Sequence, residues 1–155
     1  MRRVAAVACA ATVAALSVAG GASPDSAERA ACTEGKRTIG GVRVYTYCGP
    51  ARGTLTFRGR RVTFRSGHCA TTSAVFSISI GTHTFRPGQP RFPYLGLVVI
   101  APRDGTFTGR GDWQQAGGNY DMHTAKITLR GGRTQGTFSA REYFTGAKVS
   151  GSFSC

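Results

Sequence analysis

The sequence predicts an all-β protein, an antiparallel β-sandwich or barrel of about 8–10 short strands with two disulfides. Short segments of alternating apolar and polar residues recur along the chain, and helical periodicity is almost absent. Glycine makes up 22 of the 155 residues and separates these segments where tight turns need positive φ angles. An even set of four cysteines follows an apparent export signal, as expected of a disulfide-bridged secreted domain.

The first 22 residues have the pattern of a secretory signal peptide. Arg2 and Arg3 precede an apolar run from Val4 to Ala19, and small residues follow at 20–22. This run is shorter than the ~20 residues of a membrane span, so it is interpreted as part of a signal peptide and not as a transmembrane segment. No transmembrane segment is predicted in the mature chain. The stretch between Arg3 and Cys9 is too short to form the apolar region of a lipoprotein signal peptide, so lipoprotein anchoring is not expected. We predict secretion, with cleavage between about residues 20 and 27.

The predicted organisation is a signal peptide over 1–22, a partly flexible N-terminal segment over 23–40 and one β domain over 41–155. Removal of the signal peptide leaves 18 basic and 7 acidic residues. A mature chain of this size forms one domain, which excludes a multidomain enzyme, a membrane channel and a coiled coil.

The candidate strands alternate in polarity and are bounded by glycine or proline. They are Val42–Cys48, Thr54–Phe57, Arg61–Arg65, Ala74–Ile80, His83–Phe85, Leu95–Ile100, Thr106–Gly109, Lys126–Arg130, Thr137–Phe144 and Val149–Cys155. Alternation places one apolar set in the core: Leu55, Phe57, Phe76, Ile78, Ile80, Ile127, Leu129, Phe138, Val149 and Phe153. The run Leu95–Ile100 does not alternate, which predicts a central strand covered on both faces.

The four mature cysteines allow more than one pairing. We favour Cys32–Cys48, which closes a local loop, and Cys69–Cys155, which ties a middle strand to the C-terminal strand. The rival pairing is Cys48–Cys69 with Cys32–Cys155, because the hairpin about Gly59 brings residues near 48 and 69 together. Their spacing has no C-x2-C pair, so zinc is not expected.

Several segments carry a family resemblance. They are Ser66-Gly67-His68-Cys69 followed by Ser77-Ile78-Ser79-Ile80-Gly81, the segment Tyr47-Cys48-Gly49-Pro50-Ala51, and the closing Val149-Ser150-Gly151-Ser152-Phe153-Ser154-Cys155. The chain resembles small secreted actinobacterial β-proteins of undefined function and is distantly similar to LpqH-type mycobacterial lipoprotein antigens. It departs from the latter in its basic charge and its lack of a lipobox. The resemblance implies a secreted β domain and transfers no catalytic residue.

The acidic residues offer little for catalysis. Paired carboxylates for glycoside hydrolysis would have to come from Asp104, Asp112, Asp121 and Glu142. Asp104 and Asp112 lie near predicted turns, where aspartate usually caps the backbone. Asp121 and His123 could share one strand face as metal ligands, but no third ligand lies nearby.

The histidines do not complete a catalytic set either. His68, His83 and His123 have no nucleophile elbow beside them. We therefore predict no enzymatic activity, no catalytic residue, no metal site and no cofactor.

Two further motifs have structural explanations. Arg110-Gly111-Asp112 is a tripeptide that integrin ligands present on a hairpin tip, but Trp113 follows at once and favours a strand. Trp113 and Tyr120 flank the Gly117-Gly118 turn, where they could stack on a sugar or pack on the sheet; packing is favoured.

The remaining signal is charge. The chain carries +13 overall, and only Lys36, Lys126 and Lys148 of the mature basic residues are lysine. Arginine binds carboxylate and phosphate bidentately, so we predict binding of an anionic envelope polymer or lipid surface. An arginine-rich composition serving only solubility is the competing explanation.

The anion-binding candidates are Arg58, Arg60, Arg61 and Arg65, on a hairpin predicted to turn at Gly59-Arg60. Nucleic acid is not expected as the partner of an exported protein. The alternatives are a secreted enzyme acting on an envelope polymer, or a host-receptor or nucleic-acid binder.

Overall fold

The structure is a computed structural model that describes residues 32–86, 89, 91–116 and 118–155. The predicted signal peptide and its cleavage region lie outside the described residues. No helix in the described ranges is long and apolar enough to cross a membrane.

The described chain is all-β, which confirms the predicted fold class. Eleven strands follow one another: β1 Gly35–Ile39, β2 Val42–Thr46, β3 Arg52–Phe57, β4 Arg60–Phe64, β5 Gly67–Thr71, β6 Val75–Thr84, β7 Tyr94–Ile100, β8 Gly105–Gln115, β9 Gly118–Arg130, β10 Gln135–Arg141 and β11 Lys148–Ser154.

The strands form one antiparallel sheet that does not close, so the fold is not a complete barrel. The order is β1-β2-β6-β7-β8-β9-β10-β11-β3-β4, and β5 pairs with the first half of β6. The sheet folds over on itself: the rings of Phe76 in β6 and Phe153 in β11 stack with centroids 5.5 Å apart, although these strands are distant in the sheet. Its inner face is therefore the core, and its outer face meets solvent.

The core contains every side chain that alternation places inward, each at most 5 % exposed. Trp113, which was expected to pack on the sheet, and Met122, for which no position was predicted, are fully buried with them. The expectation that β7 is covered on both faces is wrong, because Val98 and Ile100 are 46 % and 74 % exposed. Continuous apolar strands are covered on both faces where helices flank a sheet, and no helix lies on this one in the described ranges.

Several strands differ from the predicted ones. β1 and β5 were not predicted, since β1 is an almost wholly exposed edge strand and β5 lacks clear alternation. The predicted break before His83 is absent: β6 continues through Gly81, whose φ of +93° lets the strand change partner from β5 to β2. β8 and β9 extend well beyond the predicted strands and form the longest hairpin of the described chain.

Both favoured disulfides are confirmed. Cys32 bonds to Cys48, with Cα atoms 5.9 Å apart. Cys69 of β5 bonds to Cys155 after β11, with Cα atoms 5.7 Å apart. The second bridge joins two strands that share no ladder, so it fixes how the folded-over sheet halves meet.

Candidate functional site

The hairpin that carries the four candidate arginines turns one residue earlier than predicted. Phe57 pairs with Arg60, so the turn residues are Arg58 and Gly59, with φ angles of +49° and +74°. Positive φ at both positions defines a type I′ turn, which suits the twist of an antiparallel hairpin. Arg60 is therefore the first residue of β4 and not part of the turn.

This register separates the four arginines. Arg61 lies on the outer face of the sheet because it alternates with the core residues of β4. Arg65 comes directly after β4 and lies on the same outer face. Arg60 lies on the opposite face, in register with Phe57. The Arg58 guanidinium lies over the Phe57 ring, 5.0 Å from its centroid. The structure thus brings Arg61 and Arg65 onto one surface and leaves Arg60 off it.

Other cations join Arg61 and Arg65 on this surface. Arg65 lines a groove of about 540 Å³ together with Arg52 and Arg130, which come from β3 and β9. A second groove, of about 700 Å³, is lined by Arg58, Arg141 and Lys148.

We call the outer side of β4, β3, β11, β10, residues 124–130 of β9 and residues 105–108 of β8, with the adjoining Arg58 and Arg65, the basic face. Its cations, all exposed, are Arg52, Arg58, Arg61, Arg65, Lys126, Arg130, Arg141 and Lys148. Its other outward side chains are serines, threonines and Gln135; no carboxylate is among these described positions. The predicted strand begins at Thr54, so Arg52 was not placed on this face, although it continues the β3–β4 register beside Arg65. Arg130 was missed because its proximity to Arg65 depends on the pairing of β11 with β3.

A second candidate site lies on β8 and β9, beyond the edge of the basic face. Asp112 of β8 and Asp121 of β9 are directly opposed in the ladder. They line a groove of about 370 Å³ with Ser79, Tyr94 and His123. The predicted capping role of Asp112 is therefore wrong, because Asp112 lies inside a strand.

The Asp112 carboxyl is held in an unfavourable environment for charge. Burial, and then the negative charge of Asp121, raise the pKa of Asp112 from 3.8 to about 6. Burial, and then the charge of Asp112, also raise the pKa of the Tyr94 hydroxyl. A side chain at Gly96 would collide with the Tyr94 hydroxyl and with Asp112 Oδ1, so this glycine allows both groups to lie over β7.

A register shift between Gly109 and Gly111 shapes the groove. Opposite Arg110, β9 carries the extra residue of a β-bulge, and His123 and Thr124 are both exposed there. His123 stacks on Tyr143 with ring centroids 4.0 Å apart.

The other acidic residues have structural roles. Asp104 accepts hydrogen bonds from the backbone N–H groups of Gly132 and Arg133 at 3.0 and 2.7 Å, which confirms its predicted turn-capping role. The buried Glu142 accepts bonds from the N–H groups of Phe144 and Thr145 at 3.1 and 2.7 Å. Burial opposes ionisation of Glu142, but bonds from Thr145 and Phe144 lower its pKa.

The three histidines lie apart. His68 Nδ1 is 3.9 Å from Glu34 Oε2, and His83 contacts Tyr94 edge to face. Burial and the charge of Arg91 lower the pKa of His83. Within the described ranges, no three His, Cys, Asp or Glu side chains come close enough to hold a metal ion, so Asp121 and His123 gain no third ligand there.

The structure also shows where the Arg-Gly-Asp motif and the Trp113 and Tyr120 pair lie in the β8–β9 hairpin. Arg110, Gly111 and Asp112 lie inside β8 and not at a hairpin tip. Trp113 is fully buried and stacks on Tyr120 at 4.8 Å, as the packing interpretation predicts. Trp113 is therefore closed to a sugar ring.

No protein-family model, curated protein or solved structure matches this chain. The resemblance to LpqH-type lipoprotein antigens stays a prediction.

Proposed function

We propose that this chain is a secreted, non-catalytic β-domain protein that binds anionic cell-envelope material through the basic face. The observation that carries the proposal is the composition of that face: cations from several strands share a broad polar surface without an interspersed carboxylate. Such a surface has a positive potential that attracts polyanions. The two disulfides are compatible with an extracellular location, where envelope polymers are the available polyanions.

Replacing four cations of the face should weaken binding more than replacing four elsewhere. The test variant carries serine at Arg52, Arg61, Arg65 and Arg130, and the matched control carries serine at Arg37, Arg43, Arg60 and Arg86; all eight are exposed. At about 0.5 kcal/mol per exposed pairing, the test variant loses about 2 kcal/mol, or roughly 30-fold in affinity. The measurement is sedimentation of the mature protein with isolated cell-envelope material across a salt series.

The control keeps the net charge of the test variant but leaves the face intact. It should retain most of the affinity and the steep salt dependence of the parent. Arg37, Arg43 and Arg86 of the control line a groove of about 430 Å³ with Lys36. Equal losses in both variants would therefore show that binding follows net charge or also uses that groove, and the assignment of the face alone would be withdrawn.

The carboxylate pair supports a second candidate function, hydrolysis of a glycosidic bond. A carboxyl with a pKa near 6 can protonate the leaving oxygen, while a neighbouring ionised carboxylate attacks the sugar or activates water. Directly opposed strand residues have Cβ atoms ~5 Å apart, which brings the Asp112 and Asp121 side chains within reach of one bond.

This activity would appear as new reducing ends when the mature protein is incubated with envelope polysaccharide at pH 5 to 7. We expect Asp112→Asn and Asp121→Asn each to abolish the release, whereas the four-serine test variant should lower it only through weaker binding. Release that persists in both asparagine variants would remove the pair from the reaction.

A further inference from the structure

A row of hydroxyl groups crosses the basic face. Successive ladders place six Ser and Thr residues directly beside one another across six strands, in the order Thr63, Thr54, Ser152, Thr137, Thr128 and Thr106. Neighbouring strands are ~4.8 Å apart, so the six residues form a line across the sheet that is about 24 Å long when followed along its surface. We call it the hydroxyl row.

The hydroxyl row is continuous as a polar surface. Thr54 and Ser152 share a hydrogen bond at 3.1 Å, and Thr106 and Thr128 share one at 2.9 Å. Thr137 is exposed between these two pairs, and Thr63 is exposed at the end of the row beside Thr54.

Cations flank the hydroxyl row on both sides. On one side, a row joins Arg52, Ser154, Gln135 and Arg130 in register, with Arg65 in the same groove. On the other side, a row runs from Arg61 through Thr56, Ser150 and Ser139 to Lys126 and Thr108. The surface therefore presents a hydroxyl line between two lines that carry positive charge.

The arrangement discriminates among polyanions. A hydroxyl both donates and accepts hydrogen bonds, so a line of them is complementary to a polymer that carries hydroxyls of its own. None of the described outward side chains of the basic face is aromatic, and single-stranded nucleic acids rely on aromatic stacking. None is apolar either, so the face has nothing to insert into a bilayer and could meet a membrane only through its charge.

We infer that the basic face recognises an acidic polysaccharide, whose chain lies along the hydroxyl row and across the strands, with its carboxylate or phosphate groups on the flanking cations. This inference rests on the proposed function and adds the class of ligand to it. Sugar hydroxyls would exchange hydrogen bonds with the row, and the anionic groups would accept bonds from the guanidinium groups.

Two carboxylate polymers test the inference: polygalacturonate, which carries hydroxyls, and polyglutamate, which carries none. The test variant is Thr63→Val with Thr137→Val, which removes two hydroxyls of the row and keeps β-branched side chains in the strands. The control is Thr38→Val with Thr71→Val, because these threonines are also exposed strand residues but lie off the face. Thermal unfolding verifies that both variants fold, and titration measures both affinities.

We expect the parent to bind polygalacturonate about tenfold more tightly than polyglutamate, and the test variant alone to lose most of that preference while it keeps its affinity for polyglutamate. Equal binding of both polymers by the parent, or a preference unchanged in the test variant, would overturn the acidic-polysaccharide inference and leave the proposed function standing. Failure of the parent to bind either polymer or isolated envelope material at low salt would overturn the proposed function and the inference with it.

Discussion

Serine at both Cys69 and Cys155 should lower the free energy of unfolding by about 4.5 kcal/mol. The two cysteines are 86 positions apart, so their bond removes much of the conformational entropy of the unfolded chain. Cys155 also follows the last strand, which shares no ladder with β5, so the bridge is a covalent link between these two parts of the sheet. The measurement is denaturant unfolding of the oxidised proteins, with the midpoint and slope compared.

The matched control is the double serine variant of Cys32 and Cys48, whose bond spans only 16 positions. In the chain-entropy account this shorter loop contributes about 3 kcal/mol, so the control should lose less stability than the Cys69–Cys155 variant. A larger loss in the control would mean that the local bridge organises β1 and β2 and that loop length does not set the order of the two effects.

The core could be predicted from the sequence because period-two alternation directly reports which side chains face inward. Leu55 and Ile127 illustrate this: each lies in a short segment whose neighbours are polar, and each is fully buried. The same rule fails where local signal is weak, as in the charged edge strand Gly35–Ile39. The Cys69–Cys155 bridge followed from the same inward parity at Cys155, whereas Cys32–Cys48 was favoured because it closes a short local loop.

The candidate sites could be predicted only in part, because they depend on register between strands that are remote in sequence. Arg61 and Arg65 were found from local alternation, whereas Arg130 reaches the same groove through the β9–β10, β10–β11 and β11–β3 ladders. The opposition of Asp112 and Asp121 was missed for another reason. The predicted strands end at Gly109 and begin again at Lys126, so neither residue was assigned to a strand, although a turn between Trp113 and Tyr120 implies this register.

Asp112 links stability to pH. Its pKa is 3.8 ordinarily and about 6 in the folded protein, so the folded state holds this proton more tightly than the unfolded chain. The stability of the fold therefore falls as pH rises from about 4 to about 6, and it remains lower above that window. A difference of two pKa units corresponds to about 3 kcal/mol of folding stability. Because Asp112 is partly exposed, solvent screening lowers the expected effect to about 2 kcal/mol.

Asp112→Asn should remove this penalty, since the amide stays neutral at every pH. At pH 7 we expect the variant to be about 2 kcal/mol more stable than the parent, whereas below pH 4 the two should be nearly equal. Other titrating groups, such as Glu142, affect both proteins alike, so the difference between their stability–pH curves isolates Asp112. The measurement is denaturant unfolding at constant ionic strength from pH 3.5 to pH 8.

Asp121→Asn serves as the companion variant. Removal of the Asp121 charge takes away the second cause of the raised Asp112 pKa, so the fall in stability should become smaller and move to lower pH. Parallel curves for the parent and Asp112→Asn would show that this carboxyl ionises normally in the fold. Carboxyl groups with raised pKa values are frequent at functional sites, so the Asp112 and Asp121 pair is the place to test for catalysis. A gain in stability together with a loss of glycan hydrolysis in Asp112→Asn would therefore favour the enzymatic candidate, and a gain in stability alone would leave the basic face as the functional surface.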